Sequence, residues 1–201
     1  MSWVILLAGF FFLIKNQFGI FPVSKIIEGI YDRIFFNGMK LVNLPMKPIM
    51  AINSTNLATG RQFTFSKFRM TDSTYSMRNP PILFRSEEFP ISRAVMASSC
   101  VPFAFTPVPI NAKYFVNEGD SQRINPVLID GGVFDNQGMH KLTHEKSEYR
   151  CDIIITSDAG DKMSSDSVFK NAITLLIRTM DLFMKRIKDF QISDNLYQPG
   201  P

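Results

Sequence analysis

The chain has 201 residues, a length that suits one domain, and its 45% apolar and 20% charged composition is typical of a globular protein rather than a disordered one. The formal net charge of +4 comes from scattered Lys and Arg, and nucleic-acid-binding motifs are absent, so nucleic acid is not an expected partner. Cys100 and Cys151 lack C-x-x-C spacing, which predicts two packed thiols and a cytoplasmic location.

The first segment is an uncharged apolar run over residues 3–14, ended by Lys15. It is shorter than the roughly 20 residues that a bilayer span needs, and it lacks the basic start and the cleavage site of a signal peptide. Two interpretations stay open. The run is either a buried helix, or a segment that lies on or anchors in a membrane, which the apolar residues at 18–23 would prolong. Residues 1–22 are therefore treated as a separate apolar segment.

The next residues predict a helix and a strand pair. Apolar residues recur at helical spacing over residues 23–36, and Gly38 is expected to stop that helix. Residues 49–52 and 62–68 predict strands, joined by a connection rich in turn residues at 53–60. The polar, proline-containing stretch at 69–90 predicts a surface loop that carries function or moves.

The second half predicts alternating helices and strands. Pro90 precedes a helix that Pro102 ends, and residues 107–116, 127–129 and 153–155 are strand candidates. Strands separated by helical stretches indicate an α/β sheet. Residues 23–165 are assigned to this α/β domain. Residues 166–201 form the C-terminal part, where an apolar stripe predicts a long helix over 166–192 packed on its own domain.

Asp130, Gly131 and Gly132 follow the apolar run at 127–129, so a carboxylate is expected at the end of a strand beside a flexible turn. Judged from these residues alone, a turn aspartate is the commoner explanation. No G-x-S-x-G nucleophile elbow and no G-x-G-x-x-G loop occurs in the 201 residues.

Three segments together resemble one known family. They are residues 52–61 (Ile-Asn-Ser-Thr-Asn-Leu-Ala-Thr-Gly-Arg), 92–102 (Ser-Arg-Ala-Val-Met-Ala-Ser-Ser-Cys-Val-Pro) and 128–136 (Leu-Ile-Asp-Gly-Gly-Val-Phe-Asp-Asn). In this order they resemble the patatin-like phospholipases, over about residues 19–160. The resemblance implies a patatin-like α/β sheet with flanking helices, here incomplete on its N-terminal side.

The same resemblance implies a lipid acyl hydrolase with a Ser-Asp dyad, in which Asp130 is the base and Gly131 and Gly132 form the motif's turn. A lipid or another ester is then the substrate. Since a base without a nucleophile or oxyanion donors gives little acyl transfer, the chain is expected to be inactive alone. We expect it to be the later part of a longer or split hydrolase, with the missing upstream segment as a partner. Ser98 and Ser99 are expected to pack a helix rather than react.

Other functions stay open at this point. A non-catalytic lipid- or membrane-binding module would keep the apolar surfaces without the chemistry. Carboxylates at strand ends suit a metal-dependent phosphoryl-transfer enzyme, with the candidates Asp130, Asp135, Asp158 and Asp161.

His140 and His144 are four residues apart, a spacing that can bind zinc, but H-E-x-x-H is absent. Because Lys141 and Glu145 adjoin them, a solvated helix face is the expectation for both histidines. Either could complete a Ser-His-Asp triad only if a serine were positioned for it. No metal ligand is assigned and no cofactor is expected.

Overall fold

The structure is a computed structural model that describes residues 2–157 and 171–197. The described α-helices are α1 (Ser2–Ile20), α2 (Val23–Tyr31), α3 (Ser73–Ser76), α4 (Ile91–Ser98), α5 (Gly132–Asp135), α6 (His140–Thr143) and α7 (Ala172–Tyr197). The described strands are β1 (Ala51–Asn56), β2 (Arg61–Ser66), β3 (Met70–Thr71), β4 (Val108–Pro109) and β5 (Val127–Asp130). Short 3-10 turns lie at Leu41–Asn43, Ser86–Glu88, Ala112–Tyr114 and Glu118–Gln122.

The strands form one sheet in the order β3-β2-β1-β5-β4, and helices flank it. The predicted mixed α/β architecture is therefore confirmed. Each strand pair is antiparallel, a feature that the alternation of helices and strands along the chain does not reveal. Strands β1 and β5 are neighbours in the sheet although more than 70 residues separate them in sequence, so β1 lies in the middle and β5 beside it.

The hairpin of β1 and β2 matches the two predicted strands, with a shift in their boundaries. Residues 53–56, which were predicted to be loop, belong to β1 because they pair with β2 and β5. The turn itself is confined to residues 57–60, where Gly60 has a φ of 63°, a conformation that glycine adopts without strain. The prediction of a connection over 53–60 is correct only for its second half.

An aromatic core lies on one side of this hairpin. The rings of Phe65 and Phe89 stack with centroids 5.1 Å apart, and those of Phe84 and Phe115 are 4.8 Å apart. Phe84 and Phe89 come from the stretch 69–90, as do the buried residues Met70, Tyr75 and Ile82. The prediction of a surface loop there is wrong, because its apolar residues complete the core between the polar ones.

Three other predictions differ from the structure. Residues 153–155 form no strand, and Ile153 and Ile155 are exposed. The strand predicted over 107–116 is limited to Val108–Pro109, since a 3-10 turn follows at Ala112–Tyr114. The final helix runs over Ala172–Tyr197, while the predicted start at 166–170 lies outside the described residues.

The N-terminal helices expose much of their apolar surface. Helix α1 continues past Lys15 to Ile20, so it is longer than the apolar run suggested. Its large apolar side chains with a described position are exposed rather than packed in the core, Phe11 at 67% among them. The helix predicted over 23–36 is confirmed as α2 with its π-helical turn, and it packs against the core through Ile27, Tyr31 and Phe36.

Candidate functional site

Asp130 is the last residue of β5, and the backbone around it is fixed on two sides. Across the sheet it pairs with Ser54 of β1. On the other side the end of α4 lies against it: the amide of Asp130 donates to the carbonyl of Cys100 at 2.8 Å, and the amide of Gly131 donates to the carbonyl of Ser98 at 3.2 Å. The structure thus brings together residues 92–102 and 128–136, two of the segments that carry the resemblance. The third segment, residues 52–61, includes β1, which pairs with β5.

The carboxylate of Asp130 is half-buried and accepts a hydrogen bond on one oxygen. The amide of Gly132 donates to Oδ1 at 2.6 Å, while the described residues give Oδ2 no hydrogen bond. Burial raises the pKa of this carboxyl above its ordinary value, and the Gly132 amide opposes that effect only in part. A carboxylate with a raised pKa and a free oxygen is suited to accept a proton.

Space restricts Gly131 more than Gly132. A Cβ added at Gly131 would lie 2.6 Å from the carbonyl oxygen of Asn53 in β1. One added at Gly132 would lie 2.8 Å from the Met184 methyl group of α7 and 2.9 Å from Asp130 Oδ1, which are the ends of flexible side chains. A side chain at position 131 would therefore displace backbone of β1, whereas one at position 132 would displace only side chains.

The serines near Asp130 do not offer a nucleophile. Ser54 is its cross-strand partner, but it is fully buried, and its hydroxyl has no hydrogen-bond partner among the described residues. Ser99 donates its hydroxyl to the Val95 carbonyl at 2.9 Å, which agrees with the predicted role in helix packing. Sequence reasoning missed Ser54, because its position depends on strand register, although it lies within the family-like segment 52–61.

Both cysteines are free thiols, as predicted, but only Cys100 is packed in the interior; Cys151 is exposed, so the prediction of a packed thiol is wrong for it. Cys100 lies at the end of α4, where its thiol donates to the Thr106 carbonyl at 3.2 Å. Burial raises the pKa of this thiol to about 11, and the nearby Asp130 carboxylate adds to the rise. A thiol with so high a pKa is not a nucleophile at neutral pH.

The two histidines differ in their exposure to solvent. His140 is half-buried, with its ring packed edge-on to Phe134 at a centroid distance of 5.2 Å. Asp135 fixes the start of α6 by accepting hydrogen bonds from the amides of Met139 and His140 at 3.1 and 2.8 Å. The prediction of a solvated helix face is therefore wrong for His140, because the hydrogen bonds to Asp135 hold the start of α6 against the domain. His144 is exposed, as predicted.

The carboxylates proposed for a metal do not gather in the described residues. Within residues 2–157 and 171–197 no group of three or more His, Cys, Asp or Glu is placed to hold a metal ion. Asp135 uses its oxygens on amides and on Gln62. Asp158 and Asp161 lie outside the described part of the chain. No observation here favours phosphoryl transfer.

Comparison with known proteins gives one match. Residues 6–142 match the family model described as patatin-like phospholipase. The match covers more than half of the chain and includes all three segments that carry the resemblance, although it begins before residue 19 and ends before residue 160. No curated protein and no solved structure matches.

Proposed function

This chain belongs to the patatin-like phospholipase family, and we propose that it supplies the base of a Ser-Asp lipid acyl hydrolase, with Asp130 in that role. The family is one of lipid acyl hydrolases, so a lipid ester is the substrate class. The observation that carries the proposal is the state of the Asp130 carboxylate: half-buried at a strand end, with a raised pKa and with Oδ2 left unbonded by the described residues.

In this mechanism the Asp130 carboxylate takes the proton of a serine hydroxyl while the serine oxygen adds to the ester carbonyl. The proton then passes to the departing alcohol, and the acyl group stays on the serine. A water molecule, deprotonated by the same carboxylate, releases the fatty acid and restores the hydroxyl. The Gly132 amide holds Oδ1 throughout, which leaves Oδ2 to carry the proton.

No serine of the described residues is placed as the nucleophile of this dyad. The 201 residues contain no G-x-S-x-G motif, and the hydroxyl nearest in register, that of Ser54, is buried. A buried hydroxyl cannot reach a lipid ester. We therefore propose that an upstream segment supplies the serine and the oxyanion donors, and that these 201 residues alone are inactive.

The test is an esterase assay with a short-chain ester on two proteins: the 201 residues, and the same chain extended upstream through its glycine-rich loop and G-x-S-x-G. We expect hydrolysis only from the extended chain, and Asp130→Asn to lower its kcat by at least about 100-fold, the usual range for a lost general base. Asp181→Asn, at an exposed position on α7, is the control and should change little. Hydrolysis by the 201 residues alone, or full activity of extended Asp130→Asn, contradicts the proposal.

A second candidate, a lipid- or membrane-binding module without catalysis, is favoured by one specific observation. Residues Leu6–Phe36 are helical except at Phe21 and Pro22, and their most apolar window has a mean hydropathy of 1.5 with none of it buried. By length and composition this stretch could cross a membrane or lie on one. Trp3 is the only tryptophan and is 78% exposed, so its fluorescence should shift to the blue with lipid vesicles. An unchanged spectrum contradicts membrane contact by α1.

A further inference from the structure

A concave site separate from Asp130 lies between the start of β2, helix α3 and helix α6. Its volume is about 340 Å³, near the lower end of the range of about 300 to 1,000 Å³ seen for small-molecule sites. We refer to it as the basic cavity, because its lining includes four cations and two histidines: Arg61, Arg69, Lys141, Lys146, His140 and His144. Asp130 is not among its lining residues.

The acidic residues of the basic cavity offset its four cations only in part. Glu148 forms an ion pair with Arg69, with its Oε1 atom 2.6 Å from a guanidinium nitrogen. Asp72 is buried and uses its oxygens within its own loop region, accepting from the Asn56 amide group, the Thr59 hydroxyl and the Tyr75 backbone amide at 2.6 to 2.9 Å. The part of the chain that the structure describes offers no ion pair to Arg61, Lys141 or Lys146.

The charged form of Lys141 is disfavoured by its surroundings in the cavity. Burial lowers the pKa of its ammonium group, and the neighbouring Arg69 guanidinium lowers it further, although Glu148 and Asp72 act in the opposite direction. An excess of positive charge in a half-buried place is unfavourable without a counter-ion. An anion in the cavity would remove that cost.

Two buried polar atoms in the cavity wall also lack partners among the described residues. Gln62 is 3% exposed, and its amide nitrogen donates to Asp135 at 3.2 Å, which leaves its Oε1 unpaired. The Nδ1 atom of His140 is likewise buried and unpaired. Both atoms are closed off from solvent in this structure, so they are a local cost that the described residues leave uncompensated, rather than contacts open to a ligand.

We propose that the basic cavity is a binding site for a phosphate-bearing ligand, whose anionic oxygens contact Arg61, Lys141 and Lys146. Several cations around one concavity favour the multiply charged phosphate group over a single carboxylate. A phosphate monoester carries several anionic oxygens that can accept hydrogen bonds from these side chains at once. Such a ligand is either a free phosphate compound or the headgroup of a phospholipid.

The test uses the full 201-residue chain and inorganic phosphate as the probe, titrated by calorimetry at constant ionic strength. We expect saturable binding that Lys141→Gln and Arg61→Gln each weaken by about tenfold or more, the effect of one lost charged hydrogen bond. Arg61 is exposed, so its substitution tests the site even if Lys141→Gln impairs folding. Lys185→Gln on the exposed side of α7 makes the same change of net charge outside the cavity and should alter affinity less than about twofold.

A second arm separates the two sources of phosphate. Vesicles of phosphatidylcholine with and without phosphatidic acid are added to wild type and to Lys141→Gln. If retention by phosphatidic acid depends on Lys141 and free phosphate competes for it, the ligand is a lipid headgroup. If free phosphate binds but retention is the same in both proteins, the ligand is a soluble phosphate compound. Absent phosphate binding, or equal weakening by Lys185→Gln, overturns the proposal. Neither arm measures hydrolysis, so the result is independent of the role of Asp130.

Discussion

Asp130 lies where burial disfavours its ionised form, and the stability of the fold therefore depends on pH. Burial raises the pKa of this carboxyl in the folded state, so protonation of the group stabilises the fold. This stabilising contribution is complete at pH values below the pKa of the group in the unfolded chain. That contribution is lost as the pH rises through the raised folded value. Ionised Asp130 therefore lowers the free energy of unfolding at neutral pH, a property that is common among groups at functional sites.

The substitution Asp130→Asn should expose this cost. Asparagine keeps an oxygen to accept from the Gly132 amide but cannot ionise, so we expect it to raise the free energy of unfolding at about pH 7 and to raise it less at about pH 3. Urea unfolding at both pH values measures the difference. Asp181→Asn on the exposed surface of α7 should show no such dependence. A variant that is less stable than wild type at neutral pH would show that the ionised carboxylate is stabilising instead.

Gly131 tests the contact between the motif and β1. With a Cβ, residue 131 would lie 2.6 Å from the Asn53 carbonyl oxygen, so Gly131→Ala must move backbone in the centre of the sheet. We expect a loss of about 1–3 kcal/mol in the free energy of unfolding, as in other overpacked sites. Gly29→Ala in α2 is the matched control: a Cβ there meets nothing within 4 Å. It should stabilise the chain by about 0.5–1 kcal/mol, since alanine is the better helix former. Equal effects of the two changes would contradict this account.

The sequence predicted that Asp130 and its two glycines lie at the end of a strand, because an apolar run followed by Asp-Gly-Gly is a local pattern. It could not place Ser54 opposite Asp130 or Met184 above Gly132, since both contacts join residues far apart along the chain. It also misjudged His140, whose burial depends on Asp135 binding the start of α6. The sequence shows which residue types follow one another at a strand end, but it does not show which residues face them across the sheet.

Among the elements, those with a local signature were predicted well. Helix α4 follows Pro90, helix α2 has helical apolar spacing, and β5 is a short apolar run. The stretch 69–90 was misread because its buried residues are spread singly among polar ones, without the period of a helix or a strand. Residues 153–155 were misread for the opposite reason, since they are apolar yet exposed.

Helix α7 is the element whose docking bears most closely on the motif. It packs on α5, where the Asn136 side chain donates to the Met184 carbonyl at 3.3 Å and the Met184 methyl group covers Gly132. Many of its other apolar residues are exposed, Phe183 at 60% and Phe190 at 63% among them. Among the described residues, α7 therefore meets α5 and the turn after Asp130 through Met184 and Asn136.

Met184→Ala should loosen that helix. The lost burial is expected to cost about 1 kcal/mol, because the side chain is only partly covered, and amide hydrogen exchange in α5 and α7 should become several-fold faster. Leu182→Ala, at a position that is 45% exposed on the same helix, should leave the α5 amides unchanged. If both variants exchange like wild type, the contact of Met184 with Gly132 does not hold α7 to the domain.

For the whole molecule, the unusual property is the amount of apolar surface left outside the core. Phe10, Phe11 and Phe12 are each about 60% exposed or more, and the apolar residues Ile26, Ile30 and Ile34 of α2 and its π-helical turn are exposed too. Monomeric soluble proteins rarely expose an apolar patch of this extent, and such patches mark contact with a membrane or with another protein surface. The family acts on lipids, so a bilayer is the first of these surfaces to test.

A pair of substitutions in α1 distinguishes membrane contact through this patch from attraction by overall charge. Phe11→Asp places a carboxylate on the exposed apolar helix, and an aspartate at the centre of a membrane helix costs about 3 kcal/mol, so the fraction of chain that sediments with lipid vesicles should fall by at least tenfold. Asn16→Asp adds the same charge to the same helix at a polar, partly exposed position and should lower sedimentation far less. If both changes act equally, charge rather than apolar contact governs binding. If wild type does not sediment with vesicles at all, the patch serves some other surface, and the apolar helix must be covered by protein.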